Sequence, residues 1–117
     1  MSIIWHDRDP IYIQLFNHLT DLILDGVLLE GDAIPSVRQI AGEQRINPIT
    51  VSKAIQLLVD DDVVEKRRGL GMFVLPGAVE RLVETQKNQF LEKQWPEILT
   101  KMRRLGISQS DLFEDTK

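Results

Sequence analysis

Pro35-Ser36-Val37-Arg38-Gln39-Ile40-Ala41 begins the decisive stretch, Asn47-Pro48-Ile49-Thr50-Val51-Ser52-Lys53-Ala54 continues it, and Arg67-Arg68-Gly69-Leu70-Gly71-Met72-Phe73-Val74 closes it. Each piece carries its own instruction. Ser36 is a natural N-cap for a helix with the buried stripe Val37, Ile40 and Ala41, ending near Gln44. Arg45-Ile46 forms the turn. Asn47 caps a further helix, and Pro48 suits its first turn, where a missing N–H costs nothing. Val51, Ala54, Ile55 and Leu58 recur at helical spacing on its buried side, and the Asp60-Asp61-Asp62 run stops it, with Asp62 suited to a left-handed cap. Val63–Lys66 and Met72–Leu75 read as paired strands around a basic, glycine-rich turn.

Outward from this stretch, Pro10 opens an earlier helix with Asp9 as its expected N-cap. Ile11, Leu15, Phe16, Leu19, Leu22 and Ile23 form its apolar side, and Gly26 its end. Ile3-Ile4-Trp5 is an apolar run too brief to stand alone, suited to an edge strand or a partner surface. After Pro76-Gly77 the pattern changes. Val79, Leu82, Val83, Phe90, Trp95, Ile98, Leu99 and Met102 mark one stripe of a long helix, with a kink or break expected at Trp95-Pro96. Gly106 ends that helix, and Ser108–Asp111 reads as a capping box for a short last one. The expectation is a mainly α chain with a small β element (α+β): a winged helix-turn-helix over residues 1–76, then a helical dimerisation region over 77–117.

Composition narrows the chemistry. The chain has 117 residues and no cysteine, which removes disulfides and thiolate metal sites. Its two histidines, His6 and His18, lie on different segments, each expected on the surface, and no nucleophile–base or paired-carboxylate constellation is evident. No catalytic residue, metal site or cofactor is therefore expected. The N-terminus Met1-Ser2-Ile3-Ile4-Trp5 lacks a basic region and a long apolar run, so neither an export signal nor a membrane span is expected, and a cytoplasmic location is. The formal net charge is −4, which argues against nucleic acid until its distribution is considered. In residues 1–35 Arg8 alone stands against Asp7, Asp9, Asp21, Asp25, Glu30 and Asp32. In 36–77, Arg38, Arg45, Lys53, Lys66, Arg67 and Arg68 outnumber Glu43, Asp60, Asp61, Asp62 and Glu65. A phosphate feels local charge, screened over about 8–10 Å.

On the Asn47 helix the buried stripe fixes the opposite face. Ile49, Ser52, Lys53 and Gln56 point outward, with Thr50 at the margin. Gln56 suits bidentate pairing with adenine, Ile49 a thymine methyl, and Lys53 a phosphate or guanine. Ser36 and Arg38 suit phosphates, and Arg67, Arg68 and Gly69 suit a minor groove, whose potential attracts arginine. This combination implies a DNA-binding regulator. The competing reading, favoured by the acidic total, is a winged-helix module that binds an acidic protein and no DNA.

These segments, together with Asp9-Pro10-Ile11-Tyr12-Ile13-Gln14 and Gly31-Asp32-Ala33-Ile34, resemble the winged helix-turn-helix of GntR-type bacterial transcription regulators. The tail, with Leu105-Gly106-Ile107-Ser108, is similar to the YtrA-like subfamily, whose members lack a large effector domain and dimerise through two C-terminal helices. The resemblance implies a homodimeric repressor on a two-fold operator, controlling an ABC transporter operon. It carries DNA contacts onto Arg38, Asn47, Pro48, Thr50, Ser52, Lys53, Arg68 and Gly69. Arg45 and Asp62 stand where that family often has glycine, and Met72 where it usually has threonine. The partners expected are double-stranded DNA and a second copy of the chain, with a small-molecule effector left open.

Overall fold

The computed structural model describes residues 3–113. Its elements are α1 (Ile11–Leu24), α2 (Val37–Gln44), α3 (Pro48–Asp60), β1 (Val64–Arg67), β2 (Gly71–Val74), α4 (Ala78–Gln89), a π-helical turn (Phe90–Gln94), α5 (Trp95–Leu105) and α6 (Gln109–Phe113). Two compact units result, residues 1–83 and 84–117.

In the first unit α3 is the central helix, with α1, α2 and β1 all packed against it. Leu15, Leu19 and Ile23 from α1, Ile40 from α2, and Val51, Ala54, Ile55 and Leu58 from α3 are buried together with Val63, Val64 and Val74. The stripe read from the sequence of α3 is thus the stripe that folds inward. β1 and β2 pair antiparallel, Val64 opposite Val74 and Arg67 opposite Gly71. Leu58, Val63 and Leu75 tie hairpin to helix: the Val63 N–H donates to Leu58 O, and the Leu75 N–H to Val63 O, both at 2.9 Å.

Four helices end in the same way, on a residue with positive φ followed by an N–H that reaches back five residues. Gly26 (φ 78°), Arg45 (φ 56°), Asp62 (φ 57°) and Gly106 (φ 67°) occupy that position. The returning bonds are Val27 to Leu22, Ile46 to Ala41, Val63 to Leu58 and Ile107 to Met102. This arrangement satisfies last-turn carbonyls. Glycine adopts it freely, whereas Arg45 and Asp62 do so at a cost of about 1–2 kcal/mol each.

Several expectations need correction. Asp9 does not cap α1. Pro10 holds the cap position with no side-chain bond, and Asp9 instead lies 3.7 Å from His6 Nε2. The work at this end falls to Gln14, which is buried: its Nε2 donates to His6 O and Asp9 O, and its Oε1 accepts from the His6 N–H. Ile3-Ile4-Trp5 forms no strand; Ile3 and Trp5 pack on the core and Ile4 stays exposed. The segment that extends the hairpin is 31–34. Ala33 bridges Phe73, the Ile34 N–H donates to Met72 O, and the Val74 N–H donates to Asp32 O. His18 is half-buried, and its Nε2 has no hydrogen-bond partner among the described residues.

The first unit also outruns the 1–76 boundary. Ala78 and Leu82 are buried in its core, and Val79 packs on it, because the start of α4 is anchored from both sides. Glu30 Oε1 accepts from the Gly77 N–H (2.9 Å) and its Oε2 from the Val79 N–H (3.2 Å), capping α4 from a distant loop. These two bonds hold the Glu30 carboxyl below its ordinary pKa. Arg81 donates to Asp62 O and Pro76 O. Leu82 therefore leaves the candidate dimer stripe.

In the second unit the break expected at Trp95-Pro96 is a widened turn. The Trp95 N–H bonds Phe90 O five residues back. Pro96 has no N–H to give and its ring crowds the carbonyl four residues earlier, and a π turn relieves both. The capping box forms: the Ser108 N–H donates to Asp111 Oδ2 (2.7 Å), and the Asp111 N–H to Ser108 Oγ (3.3 Å). Glu114 to Lys117 lie outside the described residues.

Candidate nucleic-acid interface

The first turn of α3 is set by Asn47, whose Oδ1 accepts from the Ile49 N–H at 2.8 Å, with Pro48 in the first helical position. Pro48 has no N–H, and the Val51 N–H bonds Asn47 O, so the Thr50 N–H is the donor of that turn left for a phosphate. Asn47, Pro48, Ile49, Ser52, Lys53 and Gln56 are exposed and Thr50 is half-buried, as the helical period requires. Ile49 is 66% exposed, a large apolar side chain that no core contact explains.

Two of these side chains are oriented by neighbours. Gln56 Nε2 donates to Asp60 Oδ1 at 2.9 Å. This leaves Oε1 and the second N–H of Nε2 available, the acceptor and donor that adenine's N6 and N7 need. Lys53 Nζ stands 5.7 Å from the ring centroid of Tyr12 on α1, within cation–π range. Asp60 is an i,i+4 neighbour of Gln56 on α3 itself, whereas Tyr12 is supplied by another helix and does not show in spacing along α3.

On α2, Ser36 Oγ accepts from the Gln39 N–H at 3.0 Å as the helix cap, and its O–H can still donate to a phosphate. Arg38, in the first turn of α2, is exposed and makes no ion pair among the described residues.

The wing separates its two arginines. Arg67 Nε lies 3.1 Å from Glu65 Oε1, and its guanidinium sits 4.4 Å from the Phe73 ring centroid. Glu65 and Arg67 are two apart on one strand face, and Phe73 pairs with Glu65 across the hairpin, so alternation assembles the trio. Arg67 is thereby held by the hairpin itself. Arg68 is exposed with no ion pair among the described residues, and Gly69 follows at φ 76°. A Cβ at Gly69 would meet nothing within 4 Å, so backbone conformation rather than space is what glycine supplies there.

Of the stripe beyond residue 76, Val83, Phe90, Trp95 and Ile98 are exposed, while Leu99, Met102 and Val79 are half-buried. Phe90 and Trp95 stack on each other across the π turn, ring centroids 6.3 Å apart. Leu91, within the π turn and absent from that stripe, is 51% exposed.

Helices α1 to α3 closed by a β-hairpin, with the third helix presenting a polar outer side, define a winged helix-turn-helix DNA-binding domain. Comparison with known proteins gives the family. The family described as "Bacterial regulatory proteins, gntR family" matches residues 11–74. HTH-type transcriptional repressor YtrA of Bacillus subtilis is 33% identical over 105 residues, covering 90% of this chain and 80% of that protein. A GntR family transcriptional regulator from Listeria monocytogenes superimposes with a TM-score of 0.76 at 25% identity, covering 94% of this chain and 95% of its own. YtrA from Sulfolobus acidocaldarius, a GntR-family transcription factor, does so with a TM-score of 0.62 at 25% identity, over 90% of this chain and 95% of that one. The chain belongs to the GntR family of bacterial regulatory proteins, and it is a transcription regulator rather than an enzyme. No helix among the described residues is long and apolar enough to cross a membrane.

Proposed function

We propose that this regulator is a repressor that binds a two-fold operator as a homodimer. In this reading α3 lies in the major groove and the wing grips the minor groove beside it. Asn47, Pro48, Thr50 and Ser52 meet the backbone at the start of α3, with Ser36 and Arg38 on flanking phosphates. Ile49, Lys53 and Gln56 read base edges; Arg68 and Gly69 enter the minor groove, and Arg67 stiffens the wing behind them. The observation that carries the proposal is the outer side of α3. It combines a helix start fixed by Asn47 and Pro48, an exposed isoleucine, and a glutamine whose remaining donor and acceptor suit adenine. The repressor assignment draws on the printed name of the Bacillus subtilis relative. An ABC transporter operon as the target follows the YtrA-like resemblance, and a DNA target places the work in the cytoplasm.

Dimerisation is supported by Val83, Phe90, Trp95 and Ile98, apolar side chains 36–47% exposed. One winged helix makes few phosphate contacts, and joining two makes the second engagement intramolecular. The reading needs no effector. Selection of binding sites from a random DNA pool tests it. Enrichment of an inverted repeat bound by two copies of the chain is expected; enrichment of nothing at low salt overturns it in favour of a protein-binding wing.

A further inference from the structure

The wing tip holds a side chain that neither the fold nor charge complementarity accounts for. Leu70 is 72% exposed and is not among the apolar residues packed on the core. Among the described residues its bond in the turn runs through its backbone: the Leu70 N–H donates to Arg67 O at 2.9 Å. Any non-proline residue would do the same. On either side stand Gly69 (φ 76°) and Gly71 (φ 118°), so no neighbouring Cβ shields it. Arg68, two positions earlier, makes no ion pair among the described residues.

Resting on the DNA-binding reading above, we propose that Leu70 is an apolar wedge. It enters the minor groove beside Arg68, inserts at a flexible pyrimidine–purine step, and bends the operator. The groove is about 6 Å wide, which favours a loop stripped of side chains on both flanks. Arg68 is drawn by the negative potential there, and it carries Leu70 with it. A leucine gains nothing from phosphates. The apolar surfaces available in the groove are sugar walls and the base faces exposed when a step opens, and leucine is among the side chains that wedge into such steps. Opening costs least at TA and CA/TG steps, so the wedge also selects sequence at a position α3 does not read.

Gain from burying the leucine and loss from unstacking offset each other to within about tenfold in Kd, so affinity alone discriminates poorly. The test uses the full-length chain, DNA sites it selects from a random pool, and circularly permuted fragments carrying those sites. Thermal melting first checks that Leu70→Ser and Leu70→Met fold like the parent, as an exposed turn residue permits. The parent is expected to bend its site by about 20–90° and to enrich a pyrimidine–purine step under the wing. Leu70→Ser should keep the bases selected by α3 but lose the bend and the step preference, and Leu70→Met should retain both. A parent that selects a site without bending it, or a Leu70→Ser protein that bends and selects like the parent, overturns the wedge alone. Enrichment of no site overturns the wedge together with the DNA-binding reading.

Discussion

Replacing Arg68 by Ala should flatten the salt dependence of DNA binding, and replacing Arg67 should not. The difference comes from the hairpin. Arg67 is paired with Glu65 at 3.1 Å and rests on Phe73, so its charge is already partly neutralised. Arg68 makes no ion pair among the described residues. Each phosphate neutralised by a cation contributes about 0.9 to the slope of log K against log salt. A homodimer presents Arg68 twice, so the Arg68→Ala slope should be shallower by about 1.8. Over a fourfold rise in salt, from about 50 to about 200 mM, the parent should lose about twelvefold more affinity than the variant. Fluorescence anisotropy with a labelled selected site reads this directly. Arg67→Ala should leave the slope within about 0.3 of the parent, since it removes a cation that the wing itself uses. Glu65→Gln should steepen the slope by freeing Arg67. Equal flattening by Arg67→Ala and Arg68→Ala would refute the division of labour between the two arginines.

Other consequences are equally open to measurement. Asp62→Gly should stabilise the chain by about 1 kcal/mol, raising Tm by about 4–8 °C, because glycine adopts positive φ without strain and one like charge leaves the C-terminus of α3; an unchanged or lower Tm contradicts this. Glu30 caps α4 with a carboxyl held below its ordinary pKa of 4.5 by the N–H groups of Gly77 and Val79. Its contribution is fully present above that value and is lost as pH falls through the lowered one. Glu30→Gln should therefore be less stable than the parent at pH 7, with the two converging in acid; parallel stability curves down to about pH 2 would argue against the cap. Ile98→Glu should yield a monomer by sedimentation and weaken operator binding while leaving the melting of the first unit intact, whereas a persistent dimer would move the interface elsewhere.

The three helices of the first unit were legible because local signals and burial agreed. Asn47-Pro48 start α3, Asp62 takes the left-handed cap, and Val51, Ala54, Ile55 and Leu58 turn inward as their spacing requires. What spacing along one element does not carry is the partner supplied by another. Gln14 displaces Asp9 at the head of α1 because a glutamine can satisfy three backbone groups of the preceding arm, whereas Asp9 sits outside cap geometry. Ala33 joins the hairpin through backbone bonds that no side-chain pattern announces. Leu82 fitted the tail's apolar period equally well, yet Glu30 and Arg81 fix the start of α4 so that this turn completes the core. At the interface, the outward side of α3 was readable from its own period. The capture of Arg67 by Glu65 and Phe73 depends on strand register, and so does the isolation of Arg68.

The most direct measurement replaces Gln56 by Ala and repeats the affinity series against every single-base variant of the selected site. A side chain that reads one base should lose discrimination there, about 1–3 kcal/mol against the wrong bases, while preferences elsewhere and the salt slope stay as in the parent. A uniform loss across all variants, or none, would mean that the outer side of α3 does not read base edges.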